Sequence, residues 1–503
     1  MRKLKRWLSF LLAAVLLASL SGAAAASGEA AQGGDVSMYP VIRVEGGWHE
    51  LYINEGTDEE QTVFNMYSIF SMDTFAFLLE DFRDSDVEIN KDYFEDAIIR
   101  VIANMYGAVR MDSSGNSADP GITRNKTEEW SKGPTGADEC SFTFDWRLDP
   151  WDNAETLRAC ILNCGSEKVN LVCVSSAGPV MLAYLERYGT DKLASAVFTV
   201  STHAGSTVFG GLATMRFRID PLAMGNTNLM EVFNAGFTMP VPLLRVAYEL
   251  GIMDLAARYL DSVTYKHIDR IYAEAVVPYM FLMPGHWAYV PAGDYEQAKR
   301  LLLGGDPQYD ALAEKLDRYH AIVLRQDELL RETASQVKTA VLVGYGMPLL
   351  GIAEGTYTLS DNFVDTAYAS FGATCAPLGQ PFPAAYAQQV PGGTNYISPD
   401  RMVDASTCAL PEQTWFASNL PHRRPAYFPG WYDWFLRAEG DYSVRANPAF
   451  PQFMERLNTD EYIPQAAKRN RPVMDFLSGA FLKVMAFWRY VLLDVLLSGL
   501  FVE

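Results

Sequence analysis

Residues 169–187 read Val-Asn-Leu-Val-Cys-Val-Ser-Ser-Ala-Gly-Pro-Val-Met-Leu-Ala-Tyr-Leu-Glu-Arg, and this stretch constrains the fold more tightly than any composition figure. The apolar run Leu171 to Val174 has the length and character of a buried strand in a parallel sheet. It stops at Ser175, and the next residues, Ser176, Ala177 and Gly178, are small. An apolar pattern with helical spacing follows, in which Val180, Met181, Leu182 and Leu185 suit one helix face. A strand running through a serine into a helix is the geometry of a nucleophile elbow, whose sharp turn exposes the hydroxyl. Such a turn needs small side chains two residues to either side, and Cys173 and Ala177 stand there. A serine between strand and helix also serves as an N-cap, so the stretch alone leaves both readings open.

Other segments narrow the choice. Upstream lie Phe144-Asp145-Trp146-Arg147-Leu148-Asp149-Pro150 and Trp151-Asp152-Asn153-Ala154; downstream lies Val200-Ser201-Thr202-His203-Ala204-Gly205-Ser206. Earlier comes Pro40-Val41-Ile42-Arg43-Val44-Glu45-Gly46-Gly47-Trp48. This order and spacing resembles the lecithin:cholesterol acyltransferase family of α/β-hydrolases. There a strand ends in a Pro-Gly oxyanion loop, a Tyr-Asp-Trp-Arg segment follows, and a serine elbow comes next. The resemblance covers roughly residues 38–206 and 336–425. The sequence departs from the family pattern at Glu45 (loop proline), Phe144 (tyrosine), Val174 (histidine) and Cys173 and Ala177 (glycines). None of these changes removes a group the chemistry needs, and together they mark a divergent member.

In α/β-hydrolases the triad follows the chain order Ser, then Asp or Glu, then His. Six histidines are present: His49, His203, His267, His286, His320 and His422. After the apolar strand Ala340 to Val343 and the turn Gly344-Tyr345-Gly346, only His422 remains, in a loop beyond a second expected strand, Gln413 to Phe416. Between them, Ser360-Asp361-Asn362-Phe363-Val364-Asp365-Thr366 is similar to the family's Asp-Gly-x-Val-Pro loop. The resemblance implies Asp361 as triad acid, with Asp365 at the loop's proline position. Ser175 would be the nucleophile, His422 the base, and Asp361 the group that orients the imidazole. It further implies an oxyanion hole formed by the backbone N–H groups of Ser176 and Gly47. Fold class is therefore expected to be α/β: an α/β-hydrolase, mostly parallel, with helices on both faces and a helical cap insertion.

Charge and targeting set the compartment. Residues 1–26 have the basic start (Arg2, Lys3, Lys5, Arg6), apolar core (Trp7 to Leu20) and small-residue end (Ala24-Ala25-Ala26) of a secretory signal peptide. Cleavage near Ala26-Ser27 would take away four positive charges and move the net charge from −20 to −24. Such a surface argues against nucleic acid as a partner. Six cysteines in so long a chain make no disulfide scaffold, and no Cys or His spacing suggests a metal site. No cofactor is expected. Cys375 and Cys408 are the pair expected to bridge, closing a loop worth about 3–4 kcal/mol in the chain-entropy model.

Domain organisation follows as a signal peptide (1–26), a first core part (27–206), a helical cap (207–335), a second core part (336–460) and an apolar C-terminal tail (461–503). Helical stretches are expected at Thr62 to Phe82, Tyr93 to Tyr106, Tyr248 to Leu260, Tyr295 to Leu303 and Leu312 to Thr333. In the tail, Phe476 to Leu497 is apolar except for a few charges (Lys483, Arg489, Asp494). It reads either as an interfacial helix touching a membrane surface or as a helix packed on its own core. The expected function is that of a secreted serine hydrolase or acyltransferase acting on lipid acyl esters. A non-catalytic hydrolase-like binding protein, and a peptidase or carbohydrate esterase on the same scaffold, stay open as alternatives.

Overall fold

Apolar runs without polar alternation belong to strands covered on both faces, and they build the centre of this molecule. Its structure is a computed structural model describing residues 38–65, 77, 81, 84, 91–124, 129–133, 136–216, 218, 268–355, 357–422, 430–457 and 462–465. In chain order the strands are β1 (Val41–Val44), β2 (Leu51–Ile53), β3 (Gln61–Phe64), β4 (Ile122–Thr123), β5 (Ser131–Lys132), β6 (Asp138–Phe142) and β7 (Val169–Val174). They continue with β8 (Leu193–Thr199), β9 (Lys338–Tyr345), β10 (Thr374–Cys375), β11 (Val403–Asp404), β12 (Thr414–Ser418), β13 (Phe453–Arg456) and β14 (Tyr462–Pro464).

Nine of these form one sheet in the order β14-β13-β12-β9-β8-β7-β1-β6-β5. From β13 through β6 every neighbouring pair is parallel, and only the edge strands β14 and β5 run antiparallel. The fold is thus mixed α/β around a large, mostly parallel sheet. Alternate strand residues feed the two faces: Ile42, Leu171, Cys173, Phe198, Val341 and Phe416 join one core cluster. Val41, Val172, Val174, Val197, Leu342 and Trp415 join the other.

Strand order reverses direction at β1, which lies between β6 and β7 although all other elements of the first part come later in the chain. Crevices for ligands open at such switch points, beyond the carboxyl ends of the strands.

The helices are α1 (Lys91–Tyr106), α2 (Pro150–Asn163), α3 (Ala177–Tyr188), α4 (Thr207–Ala213), α5 (Pro284–Trp287), α6 (Ala292–Leu303), α7 (Asp310–Leu324), α8 (Gln326–Gln336), α9 (Thr366–Ala369) and α10 (Trp431–Arg437). A wide helix, Tyr272–Phe281, precedes α5 and closes with an i→i+5 bond from Leu282 N–H to Val277 O. Helix α3 is buried continuously from Ala177 to Leu185 because it packs against α2, α7 and α8 as well as the sheet.

Two expected helices differ in outcome. The stretch expected to be helical from Thr62 starts instead as β3, whose Gln61, Thr62 and Phe64 pair antiparallel with Ile53, Tyr52 and Leu51, the register shifting across Val63; β-branched and aromatic side chains suit that pleated surface. The single helix expected over Leu312 to Thr333 breaks at Arg325 (φ −119°, ψ 14°), whose guanidinium reaches Glu186 of α3 at 2.8 Å. Helix α6 ends where Gly304 turns left-handed (φ +61°). Residues 1–26, expected to form a signal peptide, the stretch Tyr248 to Leu260, His267 and the Phe476–Leu497 tail lie outside the described residues.

Candidate active site

Ser175 sits one residue past β7 with a left-handed backbone, φ +55°. That conformation is strained for a residue with a Cβ and persists only where the surroundings enforce it. Here Ser175 N–H extends the β7–β8 ladder onto Thr199 O (2.9 Å), while its carbonyl accepts from Gly178 N–H (3.0 Å) and Thr202 N–H (3.1 Å). Cys173 and Ala177, both fully buried, fill the flanking positions. A Cβ on Gly178 would fall 1.8 Å from Ser201 Oγ, so this glycine is required for the close passage of the 201–203 segment.

The residue at the N-cap of α3 is Ser176, and its side chain makes no capping bond. Neither serine therefore performs the capping role that the sequence left open.

Two further loops converge on the turn. After β9, Asp361 is 1 % exposed and accepts Phe363 N–H (3.0 Å) and Val364 N–H (2.8 Å) on Oδ1. Its Oδ2 faces His422 Nδ1 at 2.8 Å. Beyond β12, His422 N–H also donates to the Asp361 carbonyl (2.8 Å), locking the two loops together. Gly344 makes their approach possible, since a Cβ there would lie 2.5 Å from Leu420 O and 2.8 Å from Asp361 Cβ. His422 Nε2 stands 2.7 Å from Ser175 Oγ. With Nδ1–H donating to the carboxylate, Nε2 presents its lone pair to the Ser175 hydroxyl.

The loop after β1 forms the fourth wall. A Cβ on Gly46 would lie 2.1 Å from Val174 O and 2.6 Å from Ser176 N, so the backbone is seated directly on the serine turn. Gly47 follows with φ +119°, and its N–H donates to Ser176 Oγ at 2.6 Å. Both residues expected to supply oxyanion donors thus lie beside Ser175, but the Gly47 hydrogen is directed at a side chain. Burial pushes the phenol of Tyr289 up to about 12, and the neighbouring Ser176 hydroxyl opposes that rise. Nothing in the sequence points to Tyr289, because no local pattern ties position 289 to position 176.

Aromatic rings continue from His422: Phe363 lies 5.0 Å away, Phe209 6.2 Å from Phe363, and Tyr289 4.9 Å from Phe209. The other described histidines serve elsewhere. His49 binds Glu45 O (2.9 Å) and burial lowers its pKa to about 4. His203 stacks on Phe371 at 3.6 Å with its pKa lowered to about 3 by burial. His286 binds Met280 O and burial lowers it to about 4. His320 stacks on Tyr295 at 3.9 Å.

Asp365 takes a separate role from Asp361. Its carboxylate accepts Thr207 N–H (2.8 Å) and Thr207 Oγ1–H (2.6 Å) at the start of α4. The distinctive Phe144–Pro150 segment does not reach Ser175 chemistry either. Arg147, fully buried, pairs with Asp145 (2.6 Å) and donates to Val109 O, Ser117 Oγ and Ile122 O. Trp146 Nε1–H binds His49 O (3.0 Å), and Asp149 caps α2 through Trp151 N–H (3.0 Å).

The expected Cys375–Cys408 disulfide is not formed; both thiols are free. That loop is closed without a covalent bond, by β10–β11 pairing and by Thr374 N–H donating to Thr407 Oγ1 (2.8 Å). Among the described residues no cluster of three His, Cys, Asp or Glu side chains could hold a metal ion, and no helix is long and apolar enough to cross a membrane.

No protein-family model and no curated protein sequence matches the chain. Among solved structures, one described as "The crystal structure of Tle4-Tli4 complex" overlaps 61 % of this chain and 74 % of its own at 12 % identity and a TM-score of 0.29. An overlap that slight carries no argument about fold or chemistry.

Proposed function

We propose that this chain is a secreted α/β-hydrolase, a serine hydrolase or acyltransferase that acts on lipid acyl esters through an acyl-enzyme on Ser175. The observation that carries the reading is the line Ser175 Oγ–His422 Nε2–Asp361 Oδ2, with steps of 2.7 and 2.8 Å, assembled from three separate strand ends. A serine hydroxyl is a weak nucleophile at its own pKa and needs a base within hydrogen-bond reach. In the proposed reaction His422 Nε2 takes the Ser175 proton as Oγ attacks the ester carbonyl carbon. The imidazolium that forms is stabilised by Asp361, whose second oxygen is held by two backbone N–H groups. Collapse of the tetrahedral intermediate expels the alcohol, to which His422 returns the proton. Water or another alcohol then takes the acyl group by the same steps in reverse.

Three features support this choice over a binding module of the same shape. Left-handed strain at Ser175 is retained, the acid and base are both in contact, and the order Ser, Asp, His matches the α/β-hydrolase pattern. The chain of rings that runs from His422 through Phe363 and Phe209 to Tyr289 favours an apolar acyl group over a peptide or sugar.

A p-nitrophenyl ester series of increasing chain length tests the proposal. Turnover that rises with acyl length and vanishes in a folded Ser175→Ala variant is the expected result. No turnover anywhere in the series would favour the binding module, and a preference for short acyl groups would favour a polar-substrate esterase.

A further inference from the structure

We propose that Phe363 is a positioning residue of the triad: its ring covers one face of the His422 imidazole and stabilises the imidazolium that forms as Ser175 gives up its proton. The inference rests on Ser175 being the nucleophile. Both nitrogens of the imidazole are already committed, Nδ1 to Asp361 Oδ2 (2.8 Å) and Nε2 to Ser175 Oγ (2.7 Å). What remains of the ring is its two faces. Phe363 and His422 have ring centroids 5.0 Å apart and planes inclined by 32°. At that inclination they do not meet edge to face, and rings lying side by side in one plane would collide at that separation. The phenyl face therefore overlaps the imidazole face.

The surrounding loop holds the phenyl ring in that place. Asn362 turns left-handed (φ +86°) and its side-chain amide donates to Pro348 O (2.9 Å). Phe363 N–H donates to Asp361 Oδ1 (3.0 Å), and its carbonyl accepts the Ser206 hydroxyl (2.6 Å) at the start of α4. The ring meets Phe209 of α4 at 6.2 Å and packs against the main core cluster. One residue thus holds Asp361 through its backbone and His422 through its side chain. Against a neutral imidazole the phenyl ring contributes ordinary dispersion. Once the imidazole carries the proton, a positive charge spread over its ring faces the negative face of the phenyl group, and the contact strengthens. The His422 side chain is only 11 % exposed, so water screens the pair weakly. An interaction that grows only when the charge develops lowers the barrier and leaves substrate binding alone.

Site-specific incorporation of mono-, di- and trifluorophenylalanine at position 363 tests the charge effect directly. Each fluorine weakens the negative face while nearly preserving the shape of the ring, and the backbone bond to Asp361 is untouched. Losing a cation–π contact in such a site costs about tenfold in rate. With p-nitrophenyl butyrate, kcat is expected to fall stepwise along the series, by about tenfold in all, while KM stays nearly constant. Phe363→Tyr, which keeps the face, is expected to stay within about twofold of the parent. Phe363→Leu, which fills similar space without the face, is expected to lose about tenfold in kcat. A kcat that does not change along the fluorine series would overturn the proposal. A series that moves KM alone would overturn it too, since the ring would then be a wall of the substrate site. If Phe363→Leu does not fold, the near-isosteric fluorine series still decides. Absence of turnover in the parent chain, or turnover surviving in Ser175→Ala, would defeat the underlying reading, and both results are distinct from a flat series in an active enzyme.

Discussion

Arg147 and Ser175 sit on two segments that the sequence makes equally conspicuous, and their surroundings work in opposite ways. Around Arg147 every polar group finds a protein partner: Asp145 takes two nitrogens, and Val109, Ser117 and Ile122 take the rest. Around Ser175 the hydrogen bonds form a line with a direction, from the buried Asp361 through His422 to a hydroxyl on a strained turn. A buried network that closes on itself fixes loops in place. One that ends at a single hydroxyl, with the backbone held in a costly conformation, is the arrangement the proposed reaction needs. Distinctive residues in a sequence therefore mark what is hard to replace, and only their partners tell whether the reason is structure or chemistry.

The contrast predicts different losses from each segment. His422→Ala should reduce turnover by about 10⁶-fold, as in other triads that act as a unit, while thermal stability changes little. Asp361→Asn should cost about 10⁴-fold in kcat, the typical result of leaving the imidazole in the wrong tautomer. Asp365→Asn, four residues along, should instead loosen the start of α4 and leave most of the activity. Equal loss from the two aspartates in steady-state kinetics would remove the distinction drawn between them.

Gly46→Ala comes next in size. Its methyl group must push the loop off backbone atoms of the serine turn. The expected loss is about 10²–10³ in kcat, the cost of disordering one oxyanion donor. Arg147→Met probes the opposite region. Leaving Asp145 buried without its partner should destabilise the fold by about 3–5 kcal/mol, measured by denaturant unfolding, while the folded fraction keeps its activity.

Acid makes a smaller, distributed prediction. Burial depresses the folded-state pKa of His49 and His286 to about 4 and of His203 to about 3. Below their ordinary value near 6.5 the unfolded chain binds protons that the folded chain refuses, so stability falls as pH drops from about 6.5 towards 4. Each site contributes on the order of 3 kcal/mol by the lower end of that window. His286→Gln should flatten the decline in a plot of unfolding free energy against pH; an unchanged slope would show that His286 is not held neutral in the fold.

Much of the scaffold was legible because strands buried on both faces leave continuous apolar runs, as in Leu171–Val174 and Ala340–Val343. The apolar runs are shorter than the strands they belong to, since Asn170 and Thr339 are polar yet buried in the sheet. Ser175, Asp361 and His422 were legible through chain order. Their contact was not, because it depends on where three loops cross above the sheet. Thr62 differs from expectation because an apolar-aromatic run reads as helix until the pairing with Leu51–Ile53 is known. The break at Arg325 depends on Glu186, more than a hundred residues away. Tyr289 illustrates the same limit, since its place beside Ser176 is set by how the segment after α5 folds over the turn.

Covalent labelling with a fluorophosphonate, followed by peptide mass mapping, reads the nucleophile itself. The account predicts one adduct, on Ser175 in the peptide spanning β7 and α3, absent from Ser175→Ala and from His422→Ala but present in Arg147→Met. An adduct on Ser176, or a folded protein that takes no label, would contradict it.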